Sequence, residues 1–258
     1  MAGGLDARKG AVGVREVQGR ERQDRHGGGE HGGAQPPLPG GGARVVCGEV
    51  GHLRAQRYAP CSVRGMADRL GPDRTNALLL VVAMVALMWL TEVADQIGFG
   101  DLDSYGIHPR DVDGLPEILA APFLHAGFGH LVSNTVPFAV MGAAIAFAGL
   151  VRVALVTLVV ALVSGLGTWL VASPDSVHLG ASGVVFGYAA YLVARGLLSR
   201  RLTELAVGAL VVAVWGIGLL QGLLPQEQIS WQAHLFGAIG GVVAAALFAQ
   251  RRGAAAAD

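Results

Sequence analysis

Six long apolar stretches constrain the fold of this chain more than any other feature of its sequence. They lie near residues 76–94, 130–149, 152–172, 181–198, 204–223 and 231–249. About 20 apolar residues in a helix that rises 1.5 Å per residue are enough to cross a hydrocarbon core of roughly 30 Å. Each stretch is apolar on all sides, as a helix surrounded by lipid must be. We therefore predict an all-α membrane protein, a bundle of six transmembrane helices with the lipid bilayer as its surroundings.

The composition agrees with this prediction. The 258 residues are 52% hydrophobic and only 15% charged, a balance unusual for a soluble domain. The formal net charge is zero, which gives no reason to expect a nucleic-acid partner. Both cysteines, Cys47 and Cys61, precede the first apolar stretch, so no disulfide framework supports the apolar part of the chain.

Residues 1–65 differ from the rest of the chain. They are rich in Gly and Arg and show no apolar periodicity, which predicts a disordered cytoplasmic extension. The short apolar core of a signal peptide is missing there. An alternative is that translation starts at Met66 and the preceding residues are not made. Cys47, His52 and Cys61 match no zinc-binding spacing, so we predict no metal site in this extension.

Arginine placement predicts the orientation of the helices. Arg64, Arg69 and Arg74 precede the first apolar stretch, which predicts a cytoplasmic N-terminus. Six crossings return the C-terminus to the cytoplasm. The other arginines that then fall on the cytoplasmic side are Arg152, Arg195, Arg200, Arg201, Arg251 and Arg252. Only Arg110 falls on the opposite side. We expect a multi-pass protein of the cell membrane with both termini in the cytoplasm.

Four polar residues interrupt the apolar stretches at one depth. His130 and Asn134 share one face of the second helix, Ser182 opens the fourth helix, and His234 lies in the first turn of the sixth. These three helices run from outside to inside, so their first turns lie roughly 5–10 Å below the outer boundary. A serine between glycines is often a packing residue, and an asparagine can join two helices. Because polar side chains in hydrocarbon are costly, four of them at one level predict a functional site.

These residue types suit acyl transfer. The Ser182 hydroxyl becomes a nucleophile when the neutral imidazole of His234 takes its proton. His130, Asn134 and the backbone N–H groups at the start of the fourth helix can donate hydrogen bonds to the developing oxyanion. The later apolar stretches carry no Asp or Glu near this level to orient His234. The pattern thus predicts a Ser–His dyad rather than a triad, and no cofactor.

Paired glycines predict that the fourth and sixth helices lie close together. Gly183 and Gly187 form a GxxxG pattern, and so do Gly237 and Gly241. The second pair shares one stripe of its helix with His234. Close approach at these glycines is what would bring His234 to Ser182.

Three segments together resemble the rhomboid family of intramembrane serine proteases. They are PFLHAGFGHLVSNTVPF, GASG and WQAHLFGAIGG. The resemblance implies a six-helix protease domain over residues 70–252, with Ser182 as nucleophile, His234 as base, and His130 and Asn134 in the oxyanion hole. It also implies that the substrates are transmembrane proteins, cut near the outer ends of their spans.

The chain departs from the family pattern at two places. Phe186 stands where many bacterial members have a tyrosine that stacks on the catalytic histidine; the ring can still stack, without the hydroxyl. The loop between the first two helices, with GLPEILAAPFLH, lacks the Trp-Arg pair of many relatives.

Two other functions compete with an active protease. An inactive relative would bind membrane helices without cutting them, but such relatives lose the serine or the histidine, and this chain has both. A transporter would need broken helices and polar groups near the bilayer centre, whereas the polar groups here lie in one leaflet.

Overall fold

The computed structural model describes residues 71–226 and 229–254. The predictions for residues 1–65, including a start at Met66 and the absence of a metal site at Cys47, His52 and Cys61, lie outside this range.

The described part of the chain contains six helices long and apolar enough to cross a membrane. They are α1 (Pro72–Gln96), α2 (Phe128–Ala146), α3 (Leu150–Val171), α4 (Ser182–Ser199), α5 (Leu202–Gly222) and α6 (Trp231–Ala254). Each coincides with one of the six apolar stretches. The predicted all-α fold with six transmembrane helices is confirmed.

Local chemistry explains where several of these helices begin and end. Gly71, Gly127 and Gly149 precede α1, α2 and α3 with positive φ, a conformation that glycine adopts without strain. Pro72 follows in the first turn of α1, where its missing N–H costs nothing. At the end of α4, Arg200 adopts the left-handed conformation, and α5 begins two residues later.

The central helix of the bundle is α4. Of its span, 56% is buried inside the protein, against 22% for α1 and 17% for α5. The exposed faces of α1 and α5 carry large apolar side chains such as Leu90 and Ile217, as lipid contact requires. The first residue of α4 is Ser182, so the fold places this serine at one end of the most enclosed helix.

A connecting segment over residues 97–127 joins α1 to α2. It contains a 3₁₀ helix (Leu102–Tyr105), one turn of α-helix (Glu117–Ala120) and a second 3₁₀ helix (Ala121–Phe123). Backbone hydrogen bonds of 2.7 and 3.1 Å pair Ile107 with His178, just before α4. The Trp169 indole N–H, near the end of α3, donates to the Asp111 carbonyl at 2.8 Å. The connecting segment is therefore fastened to α3 and to the approach to Ser182.

Candidate active site

Ser182 stands at a turn that is fixed from two sides. The residue is half-buried at the start of α4, and Gly180 precedes it with φ +112°. The Gly180 N–H donates to the Ala121 carbonyl at 2.9 Å, and the Ala181 N–H points to Nε2 of His125 at 3.4 Å. The connecting segment thus holds the two residues that lead into Ser182.

His130 packs against the backbone of this same turn. A Cβ atom added at Gly180 would lie 2.6 Å from Cε1 and 2.8 Å from Nε2 of the His130 ring. Such distances are impossible for real atoms, so only glycine allows the imidazole to come this close. The third residue of α2 therefore contacts the chain two residues before Ser182.

His234 is held in one orientation by two contacts. It is 7% exposed, and its Nδ1 lies 2.7 Å from the Gly222 carbonyl oxygen at the end of α5. A carbonyl can only accept, so Nδ1 carries the proton and Nε2 is the unprotonated nitrogen of the neutral ring. The ring also stacks on Phe186, with centroids 4.0 Å apart and planes 3° from parallel. Phe186 lies one turn after Ser182, so His234 sits against the face of α4 that carries the serine.

The backbones of α4 and α6 are in contact at two positions, one helical turn apart. A Cβ atom at Gly237 would overlap the Gly183 carbonyl oxygen, and one at Gly241 would overlap the Gly187 carbonyl oxygen. These are the four glycines of the two GxxxG patterns. Nearby, the Ser164 hydroxyl of α3 donates to the Ala233 carbonyl at 2.8 Å. This three-helix contact fixes the start of α6, which includes His234, beside the start of α4.

Asn134 is buried one turn after His130. Its Nδ2 donates to the His130 carbonyl at 3.1 Å, which uses one of the two amide N–H groups. The Ser133 hydroxyl donates to the same carbonyl at 2.7 Å. One of the two N–H donors of the Asn134 amide is therefore used in a hydrogen bond within α2.

The sequence reasoning missed His125. This residue of the connecting segment is 1% exposed, and its ring meets the His130 ring edge-on, with centroids 5.2 Å apart. Burial lowers the pKa of His125 to about 4, and the neighbouring His130 acts in the same direction. The ring is therefore neutral near pH 7, as its role as acceptor for the Ala181 N–H requires. The only sequence signal was a second histidine five residues before His130.

The four predicted site residues all lie near helix N-termini at one end of the bundle. His130 and Asn134 are on α2, Ser182 on α4 and His234 on α6. The contact of His130 with Gly180 and the stacking of His234 on Phe186 bring both histidines to α4. Over residues 71–226 and 229–254, no group of three His, Cys, Asp or Glu side chains is arranged to hold a metal ion.

Six membrane-spanning helices with a serine and two histidines gathered at one end define a multi-pass membrane protein with a candidate hydrolase site. Residues 113–251 match the Rhomboid domain, and the chain belongs to the rhomboid family of intramembrane proteases.

Three bacterial proteins are similar to this chain. An uncharacterised protein of Mycobacterium tuberculosis is 41% identical over 176 residues, which is 65% of this chain and 73% of the relative. An uncharacterised protein of Mycobacterium leprae is 42% identical over 176 residues, 65% of this chain and 69% of the relative. YdcA of Bacillus subtilis, whose name describes it as a candidate rhomboid protease, is 28% identical over 130 residues, 50% of this chain and 65% of the relative.

Proposed function

We propose that this protein is an active intramembrane serine endopeptidase that cleaves transmembrane proteins near the outer ends of their spans. The observation that carries the proposal is the fixed orientation of His234. The Nδ1–H of His234 donates a hydrogen bond to the Gly222 carbonyl, and the ring stacks on Phe186 one turn from Ser182. This arrangement leaves Nε2 as the base on the serine side of α4.

The reaction uses Ser182 and His234 as a dyad. The Ser182 oxygen attacks the carbonyl carbon of the substrate peptide bond while Nε2 of His234 takes the hydroxyl proton. The tetrahedral intermediate collapses, the C–N bond breaks, and the leaving nitrogen receives that proton. Water then attacks the acyl-enzyme ester and gives a proton to Nε2. The ester C–O bond breaks, the proton returns to Ser182, and a new carboxyl terminus leaves. Whenever Nε2 is protonated, the Gly222 carbonyl stabilises the imidazolium by accepting the hydrogen bond from Nδ1–H.

Donors on two helices would stabilise the oxyanion. The first N–H groups of α4 have no partner within the helix, and the positive end of its dipole lies at Ser182. His130 reaches this place through its contact with Gly180. Asn134 contributes the amide N–H that its bond to the His130 carbonyl does not use.

The orientation follows from the arginines. We propose that residues 70–252 form the protease domain, that the protein lies in the cell membrane, and that both termini are cytoplasmic. The site then faces the outer leaflet.

Selectivity should depend on how easily a substrate helix unwinds. A peptide bond inside an intact helix is shielded, since its carbonyl is hydrogen-bonded four residues on. Favoured substrates should carry Gly or Pro in the outer part of their span, and the cut should follow a small residue because Gly180, Ala181 and Gly183 wall the site. Replacing those Gly and Pro residues with Leu, at an unchanged cut site, should slow cleavage. An undiminished rate would refute this account of selectivity.

The dyad is tested with a fluorophosphonate probe and a model transmembrane substrate in proteoliposomes. Ser182→Ala should abolish labelling, and Ser182→Ala and His234→Ala should each abolish cleavage. The double variant should lose no more, because the two residues act as a unit. Ser173→Ala, an exposed serine between α3 and α4, is the matched control and should behave as wild type.

Other outcomes separate the competing functions. Full activity of either single variant would exclude the dyad. A wild-type protein that captures the substrate helix but neither reacts with the probe nor cleaves would instead be an inactive relative that binds membrane helices.

Asn134→Ala tests the oxyanion hole. It should lower turnover by about 10²–10³ while substrate capture stays largely intact, as expected for a donor that acts in the transition state. Unfolding of this variant without a separate kinetic effect would make Asn134 a structural residue.

A further inference from the structure

A basic crevice lies at the end of the bundle opposite to Ser182. Two adjoining cavities of about 250 and 620 Å³ share Arg152, Tyr191, Arg195 and Glu204 in their walls. All six long helices line the crevice, and α4, about 27 Å long, separates it from the candidate active site. This is the end that the arginine distribution assigns to the cytoplasm.

Positive charge dominates the lining. Four arginines, Arg74, Arg152, Arg195 and Arg201, face the crevice with two carboxylates. Both carboxylates already have partners: Asp73 accepts the Leu150 N–H at 3.2 Å, and Glu204 accepts from Arg195 at 2.8 Å. Four guanidinium groups against two carboxylates leave the lining with an excess of positive charge.

Two of the arginines are held in place by contacts that leave some of their N–H donors free. The Arg195 guanidinium donates to the Tyr191 hydroxyl at 2.9 Å and to Glu204, and each of these bonds uses one of its five N–H groups. The Arg152 guanidinium lies 4.1 Å above the Phe248 ring centroid. Among the described side chains, the one arginine that forms an ion pair is Arg195, with Glu204, so no described carboxylate is paired with Arg152. Fixed guanidinium groups with free donors are the usual partners of phosphate oxygens.

The walls of the crevice are apolar as well as basic. Ile145, Leu192, Val207 and Ala245 line it beside the arginines. A soluble anion would gain nothing from these side chains, whereas the glycerol backbone and the first methylene groups of a lipid would bury apolar surface on them.

We propose that this crevice binds the phosphate of an anionic phospholipid from the adjacent leaflet. The phosphate lies between Arg152 and Arg195, and the acyl chains leave along the apolar walls. The lipid joins the ends of α3, α4 and α6 and stabilises the bundle. Basic pockets between the cytoplasmic ends of membrane helices suit anionic headgroups, because the charge attraction adds to apolar burial.

The test uses the full chain purified in detergent. Phosphatidylglycerol is titrated against phosphatidylcholine with the same acyl chains, and bound lipid is counted by native mass spectrometry alongside the melting temperature. Phosphatidylglycerol should bind with a stoichiometry of one and raise the melting temperature. Arg152→Gln should weaken its binding about tenfold, the loss expected for one charge-assisted contact.

Matched variants distinguish lipid binding in the crevice from nonspecific attraction to surface arginines. Arg200→Gln removes an exposed arginine at the same end of the bundle that does not line the crevice, and its binding should equal that of wild type. Arg74→Gln, exposed at the start of α1, gives a second variant of the lining in case Arg152→Gln does not fold. Ser182→Ala should bind the lipid as wild type does, so the result does not depend on protease activity.

Three outcomes would overturn the proposal. Equal effects of the two lipids would exclude recognition of the charge. Equal losses in Arg152→Gln and Arg200→Gln would exclude the crevice. Inorganic phosphate that raises the melting temperature as much as phosphatidylglycerol would make the ligand a soluble anion instead of a lipid.

Discussion

Gly180 lies two residues before the candidate nucleophile and contacts His130 of the candidate oxyanion hole. Its φ of +112° is strained for any residue with a side chain, and a Cβ would collide with the His130 ring. Gly180→Ala should therefore lower cleavage by about tenfold or more, because strain on the order of 1–3 kcal/mol must be relieved by moving the turn or the ring. Gly129→Ala is the control, since a Cβ at Gly129 meets nothing within 4 Å. Equal cleavage rates in the two variants would contradict this role.

His125 should make stability depend on pH. Its pKa is about 4 in the folded protein and about 6.5 in the unfolded chain. Between these values the unfolded chain binds the proton and the folded protein does not, so the free energy of unfolding falls as pH drops through this window. The full contribution is present above about pH 6.5.

Replacing His125 with a residue that does not titrate isolates its contribution to the pH dependence of stability. His125→Gln keeps an acceptor and cannot titrate, so its melting temperature should fall less between pH 7 and pH 4.5 than that of wild type. Ser173→Ala, an exposed serine between α3 and α4, should keep the wild-type pH dependence. Parallel pH profiles for wild type and His125→Gln would show that His125 does not cause the pH dependence of stability.

At the level of single residues, the sequence could predict positions only where membrane depth applied. Ser182 and His234 lie at helix starts, so the position of each apolar stretch was enough to bring them to one level. His125 lies in the connecting segment, which has no helical period, so no depth could be assigned to it. The hydrogen bond of the Asn134 amide depends on a side-chain rotamer, which sequence spacing does not determine.

Among the elements, α4 and α6 depend most on their mutual contact. A methyl group at Gly237 overlaps the Gly183 carbonyl, so Gly237→Ala must push the helices apart. We expect a loss of stability on the order of 1–3 kcal/mol, as for other overpacked sites, and a further loss of cleavage as His234 moves from α4. Gly218→Ala on α5, where a Cβ meets nothing within 4 Å, should leave stability unchanged or raised. Thermal unfolding in detergent and cleavage assays measure both effects, and a Gly237→Ala protein as stable as Gly218→Ala would contradict the expectation.

The elements differ in how far the sequence could predict them. Length and apolarity located all six long helices, because lipid imposes both. The short helices between residues 97 and 127 left no comparable signal. Their attachment uses backbone groups, as in the pairing of Ile107 with His178, and backbone hydrogen bonds carry no side-chain signature.

At the scale of the whole molecule, the candidate active site and the basic crevice lie at opposite ends of the bundle. The proposed orientation can be tested by cysteine accessibility in a background with Cys47→Ser and Cys61→Ser. Asp175→Cys, between α3 and α4, should react with a membrane-impermeant maleimide in intact cells. Arg200→Cys, between α4 and α5, should react only after permeabilisation, because the arginine-rich ends are expected in the cytoplasm. The reverse pattern would invert the topology.

The glycine contact between α4 and α6 also limits which mutations a gene for this protein can carry. All four glycine codons begin with GG, and every single-base change that alters the amino acid adds a Cβ atom. At Gly187, Gly237 and Gly241 such an atom would lie within 3.0 Å of the backbone of the partner helix, whereas at Gly183 the first atom it meets is the Ser164 hydroxyl. No single-nucleotide substitution that changes the amino acid is therefore a mild one at these three positions, whereas a change to Ala or Val at Gly218, where a Cβ meets nothing within 4 Å, should be tolerated. Random mutagenesis followed by selection for cleavage should recover the codons of Gly187, Gly237 and Gly241 changed only at their third base.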